Sequence, residues 1–144
     1  MRCLVMLCLG IVALPALAAP ACKQVAQELN QRIKPQVDAT QLAQTLTSLN
    51  QTGRLPDSYL TKRSAQNAGW EPGQDLWRTL PGKSIGGDRF GNYENRLPKG
   101  QYKEADLDYR GGKRGAKRLI FGTDGHRYVT VDHYQTFTEV PPCQ

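Results

Sequence analysis

The chain has 144 residues, of which 39% are hydrophobic and 22% charged, with a mean hydropathy of −0.55. That length suits one leader and one small domain, and the composition excludes disordered, collagen-like and polytopic membrane classes. Nineteen Lys and Arg against thirteen Asp and Glu give a formal charge of +6, an excess that favours encounter with nucleic acid, heparin-like chains or anionic lipid without choosing among them.

A leader opens the chain. Arg2 precedes an apolar run from Cys3 to Leu14, then Pro15 and small residues that fit cleavage after Ala18 or Ala21. A signal peptide over 1–21 is therefore expected, with a mature protein that is secreted or periplasmic and has no stable membrane association. An uncleaved anchor competes with this reading, but a span needs about 20 continuous apolar residues and Pro15 interrupts this one early. Acylation at Cys22 is disfavoured by Pro20. Cys22 and Cys143 are the two cysteines outside the leader, and in an exported chain they suggest one disulfide, with free or intermolecular thiols as the alternative. Closing a loop of about 120 residues would stabilise the fold by about 4 kcal/mol in the chain-entropy model. Distant cysteines and the histidines His126 and His133 show no ligand-pair spacing, so no metal or other cofactor is expected.

Helices come next. Val25, Leu29 and Ile33 predict an amphipathic helix at about 23–34, stopped by Pro35; Leu42, Leu46 and Leu49 predict a second one, stopped by Gly53. A short third helix starts with Thr61 as N-cap and stops at Gly69, and a fourth starts with Asp75 and stops before Pro81. From Ser84 onward the pattern shifts to period two. In EADLDY, Ala105, Leu107 and Tyr109 fall on a core face, and Glu104, Asp106 and Asp108 on a wet one. RLIF (118–121), the turn Gly122-Thr123-Asp124-Gly125 and RYVTV (127–131) read as a hairpin, and HYQTFTEV adds another β-rich run. Helices followed by an antiparallel sheet predict an α+β fold, with 22–144 as a single domain.

Two familiar strings fail on context. Gly82-Lys83-Ser84 imitates the end of a phosphate-binding loop, but Trp77 stands where the first glycine is required. Gly82-Lys83-Ser84-Ile85-Gly86 is a literal G-x-S-x-G followed by Asp124 and His133, yet Pro81 before it and Gly86-Gly87 within it deny the strand and helix that a nucleophile elbow needs. A tight turn into a strand is expected instead. The stretch 110–118 carries Arg110, Lys113, Arg114, Lys117 and Arg118 among glycines, for which phosphate is a natural partner and a solvated loop the competing reading. A carboxylate, a histidine and such cations suffice for RNA cleavage without a metal: a base takes the 2′-OH proton, an acid protonates the leaving 5′ oxygen, and cations offset the charge on phosphorus.

The blocks LPDSYLTK (55–62), PGKSIGGDRF (81–90), EADLDY (104–109), KRGAKRLI (113–120) and TVDHYQTFTEV (130–140) occur in one order. In them the chain resembles barnase and its relatives, the small secreted guanyl-preferring bacterial ribonucleases, from about Thr40 to Glu139. The resemblance implies N-terminal helices packed on a C-terminal antiparallel sheet, and metal-independent endoribonuclease activity through a 2′,3′-cyclic phosphate to a 3′-phosphate. It implies Glu104 as general base and His133 as general acid, Arg114 and Arg118 on the scissile phosphate, Lys62 on the transition state and Tyr134 lining the substrate site. Guanine recognition would fall to the loop of Phe90, Asn92, Tyr93 and Glu94, with the Glu94 carboxylate on the base. RNA is the implied partner, and the protein is expected to be monomeric; an acidic barstar-like inhibitor in the producing cell would fit the family. The sequence departs from barnase mainly in the base loop: Tyr93 stands at an arginine position, Asn95-Arg96 replaces glycine after Glu94, and Gly125 replaces a tryptophan elsewhere. A non-catalytic module that binds RNA or another polyanion is the principal rival, and a hydrolase on Ser84 a distant third.

Overall fold

A computed structural model describes residues 2–13 and 18–144. The described part of residues 1–21 forms no helix or strand and leaves Leu4, Leu9 and Ile11 more than 80% exposed. Pro15 and the Ala16-Leu17 pair of the cleavage signal lie outside the described residues. Among the described residues, no helix is long and apolar enough to cross a membrane.

The apolar spacing after residue 21 folds as α1 (Cys22–Asn30) and α2 (Ala39–Thr52). Helix α1 is shorter than its pattern predicts. Gln31 and Arg32 donate back to Glu28 and Leu29, tightening the last turn, and the Asn30 amide clips Val37 by donating to its carbonyl at 2.7 Å and accepting from its N–H at 2.9 Å. Ile33 still reaches the core from this turn, at 7% exposure. Helix α2 stops at Gly53 as read, with φ 71°, and its start is capped by the Asp38 carboxylate, which accepts from the Gln41 N–H at 3.0 Å.

Next in the chain come β1 (Tyr59–Leu60), α3 (Lys62–Asn67), α4 (Leu76–Thr79), β2 (Ser84–Phe90), β3 (Tyr102–Asp106), β4 (Arg118–Gly122), β5 (Arg127–Thr130) and β6 (Thr138–Glu139). The Thr61 hydroxyl caps α3 and the Asp75 carboxylate caps α4, as expected from their sequences. The six strands lie in sequence order, with β1 parallel to β2 and every other pair antiparallel. Gly86 is needed where β1 crosses close to β2, because a Cβ there would lie 2.6 Å from the Tyr59 ring. The fold is α+β, with α1 and α2 packed on one face of a mostly antiparallel sheet.

Helices α1 and α2 cover one face with Leu29, Leu42, Leu46 and Leu49 against Leu107, Leu119 and Val129. Each such leucine contributes about 2 kcal/mol on burial. Cys22 and Cys143 are bonded across this layer with their Cα atoms 4.8 Å apart. Main-chain bonds between Cys22 and Gln144 and between Gln144 and Pro20 zip the same two segments together. A second apolar cluster joins Ala65, Trp70, Leu76, Ile85 and Tyr109 under α3 and α4. On the opposite face of the sheet, Leu97, Tyr102, Ile120 and Tyr128 form a third cluster, flanked by Phe90, Tyr134 and Phe137.

Two expectations need correction. The run 133–137 is a loop, and only Thr138–Glu139 pairs as a strand. The Asp132 carboxylate folds it back by accepting from the Thr130 and Thr136 hydroxyls and the Thr136 N–H. The face of β3 carrying Glu104 and Asp106 is not wet: the two are 9% and 2% exposed. Alternation also stops at Asp106, since Asp108 turns to φ 59° and Tyr109 joins the second cluster, away from Leu107.

Candidate active site

Register places the polar side chains of this buried face. Glu104 is paired with Asp88 on β2 and Ile120 on β4, and Asp106 with Arg118, which is itself paired with Thr130. Paired residues project to the same side of a sheet. Asp88, Glu104, Asp106 and Arg118 therefore share the face away from α1 and α2, on rigid central strands.

Asp106 organises the cations. Arg114 grips its carboxylate with two hydrogen bonds of 2.7 Å, and the Arg118 Nε lies 3.0 Å from the same carboxylate as an ion pair without hydrogen-bond alignment. Arg118 is only 3% exposed, and its terminal NH1 donates to the Gly115 and Lys117 carbonyls at 2.8 Å. The hydrogen bonds that Arg114 donates to Asp106 hold its guanidinium above the ordinary range. One carboxylate between two guanidiniums leaves a net positive charge in a half-buried setting, suited to a phosphate. Sequence reading placed Asp106 on a solvated face; the missed signal is that it stands two residues after Glu104, on the same side of one strand.

The rest of the basic cluster is less free than its composition suggests. Arg110 pairs with Asp38 at 2.8 Å, and Lys117 with Asp108 at 2.9 Å. Lys113 lines the cavity that also holds Arg114, Arg118 and His133.

Glu104 accepts the Tyr134 hydroxyl at 3.0 Å on both of its oxygens. Burial first, and then the charge of Glu104, push the Tyr134 phenol up to about 12, which keeps it a donor. Its ring stacks on Phe90 at 5.4 Å, and the Arg118 guanidinium lies 5.9 Å from the ring centre. His133 and Tyr134 both have left-handed backbones, φ 53° and 71°, a conformation uncommon outside glycine and concentrated at functional sites. The His133 N–H holds the Ala116 carbonyl at 3.1 Å and the Tyr134 N–H holds the Thr130 hydroxyl at 3.1 Å, which fixes that bend. The two rings lie 4.8 Å apart.

Lys62, Phe90, Asn92, Tyr93, Glu94, Glu104 and Tyr134 line one cavity of about 320 Å³. Arg114, Arg118 and His133 line a second one together with Trp70 and Gly73, and His133 is next in the chain to Tyr134 of the first. Lys62 stands in the first turn of α3, where its N–H donates to Asp88 at 3.0 Å. In the loop after β2, Asn92 sits at φ 50° and ties both polar groups of Leu97, donating to its carbonyl at 2.9 Å and accepting from its N–H at 3.1 Å. Tyr93 is 88% exposed. Glu94 is engaged by Arg96 at 2.7 Å, and Arg96 also reaches the Gln135 carbonyl at 2.8 Å, bridging this loop to the one after His133. Ser84 is buried at the start of β2, after a turn at Gly82 with φ 77°, so the G-x-S-x-G string is a turn into a strand. His126 lies outside the site, paired with Glu139 at 2.8 Å.

A buried carboxylate, two arginines sharing an aspartate, a lysine and a histidine around two open cavities define an α+β protein with a site for an anionic substrate. A family model described as ribonuclease matches residues 42–141, well over half of the chain, and the chain belongs to that family. A ribonuclease of Bacillus intermedius is 47% identical over 91 residues, covering 60% of this chain and 56% of the relative. One of Heyndrickxia coagulans is 46% identical over 91 residues, covering 60% of this chain and 84% of the relative. The chain thus spans little more than half the length of the Bacillus relative. Among solved structures, ribonuclease Sa2 complexed with mononucleotides is similar at 34% identity and a TM-score of 0.36, over 55% of this chain and 75% of that chain.

Proposed function

We propose that the protein is an exported endoribonuclease that cleaves single-stranded RNA after guanine without a metal. The carrying observation is the Glu104 carboxylate, buried on a central strand two residues before the Asp106 that holds Arg114 and Arg118, on a cavity that also takes in the loop of Phe90 to Glu94. Glu104 takes the ribose 2′-OH proton, the 2′ oxygen attacks phosphorus, and His133 protonates the departing 5′ oxygen, leaving a 2′,3′-cyclic phosphate. In the second step His133 takes a proton from water and Glu104 returns one to the 2′ oxygen, giving the 3′-phosphate. Arg114, Arg118 and Lys62 offset the charge that develops on the phosphoryl oxygens, pre-oriented by Asp106 and by the cap of α3. Phe90 and Tyr134 offer ring faces to the substrate, Asn92 shapes the base loop, Tyr93 borders it, and Glu94 bonds the guanine edge once Arg96 releases it.

Cleavage of GpU, ApU, CpU and UpU by the mature protein in excess EDTA tests this reading. Fast cleavage led by GpU is expected. Equal rates on all four would remove the guanine site and keep the chemistry, and no cleavage by folded protein would leave a polyanion-binding module in its place.

A further inference from the structure

A second cationic surface lies on the other side of the sheet. Arg89 is paired with Lys103 on β3, Lys103 with Phe121 on β4, and Phe121 with Arg127 on β5. These four residues form one rung on the face covered by α2, at the point where that helix ends and the sheet emerges from beneath it. With Leu49, Asn50 and Gly53 from the end of α2, they line a groove of about 630 Å³. Three of its lining residues are cations and none is a carboxylate.

Two of the three cations are fully available, and the third is partly engaged. Among the described residues, Arg89 and Lys103 are exposed and engaged in no side-chain hydrogen bond or ion pair. Arg127 spends one terminal nitrogen on the Gly122 and His126 carbonyls at 3.1 Å, while its Nε is buried with no partner. The C-terminus of α2 supplies about half a negative charge nearby and the Asp124 carboxylate acts on Arg127, which the three cations together exceed. Phe121, half-buried between Lys103 and Arg127, adds a ring face of the kind on which bases stack. Neighbouring strands are about 4.8 Å apart, so Lys103 and Arg127 flank that ring at about 10 Å. Gly125 keeps one wall low, since a Cβ there would meet nothing within 4 Å. Arg89 lines both this groove and the cavity of Glu104, which connects the two around the end of β2.

We infer that this groove is a second RNA-binding surface, which holds single-stranded RNA that runs past the cleavage site by its phosphates and by stacking on Phe121. The inference rests on RNA being the substrate; alternating cations and an aromatic face select nucleic acid over other polyanions.

A dinucleotide cannot occupy the cleft and this groove together, but a strand of about 20 nucleotides can, so the two substrates separate them. Lys103→Glu, and separately Lys103→Ser with Arg127→Gln, should leave GpU turnover unchanged and raise KM on the longer RNA about tenfold. With His133→Ala blocking cleavage, anisotropy on the same RNA should show the salt slope of binding shallower by about 1.4 in the double variant, which removes two phosphate-binding cations. Unchanged KM and slope in both variants overturn the surface. So does a loss of binding to heparin or to phosphatidylglycerol vesicles with RNA binding intact. Failure of the wild-type protein to cleave GpU sinks the ribonuclease reading instead, and the anisotropy series still decides the groove.

Discussion

On one side of the sheet, Leu119 and Val129 are buried under leucines of α2; on the other, Asp106 and Arg118 are buried just as deeply, at 2% and 3% exposure. The apolar face is held by area and tolerates any shape that fills it. The polar face is held by partners. Each charge there is stable only while its neighbour stays in place, because an unpaired buried ion costs several kcal/mol. Strength on the first face comes from packing; on the second, the same depth fixes groups that can act on a phosphate.

The largest expected effect is on activity alone. Glu104→Gln keeps the shape of the polar face and removes the proposed base, and should cost at least about 100-fold in kcat, with melting temperature nearly unchanged. His133→Ala should do the same. Near-normal turnover in either would dismiss the role assignment. On the apolar side the staple dominates: Cys22→Ala with Cys143→Ala should lower stability by about 4 kcal/mol in denaturant unfolding while kcat on a dinucleotide holds.

Asp106→Asn should cross the boundary between the faces. Removing the shared carboxylate leaves two guanidiniums uncompensated, so stability should fall by about 3 kcal/mol and KM rise together. A stable variant with normal KM would show that Asp106 does not position the arginines.

Acid should bring the smallest change. Hydrogen bonds from Thr136 hold the Asp132 carboxyl below its ordinary value of 3.8, and the bond from the Gln41 N–H lowers Asp38 likewise. A depressed folded-state pKa gives stability that is complete above about pH 5 and lost as pH falls through that depressed value. Melting temperature should therefore drop below about pH 4, and less so in Asp132→Asn.

Most of the frame could be read from residue order. Thr61 and Asp75 announce helix starts and Gly53 a stop, and the caps form where these side chains allow them. The turn at Gly122 to Gly125 joins β4 and β5 as its composition predicts. The two-residue strand β1 carries no periodicity and exists only through its neighbour β2. The alternating aromatics and threonines of 133–140 imitate a strand, but the Asp132 side chain competes for the backbone and wins. The named site residues could be placed through family blocks; their surroundings could not. That Asp106 clasps two arginines, or that Arg96 occupies Glu94, depends on cross-strand register and loop closure, which no local pattern encodes.

The central claim is that Glu104 and His133 exchange protons with substrate across the polar face. The most direct test is the pH dependence of kcat/KM on GpU for the wild-type protein, Glu104→Gln and His133→Gln. A bell is expected for the wild type, with loss of the acid limb in the residual activity of Glu104→Gln and loss of the alkaline limb in that of His133→Gln. A bell that keeps both limbs in either variant would contradict it.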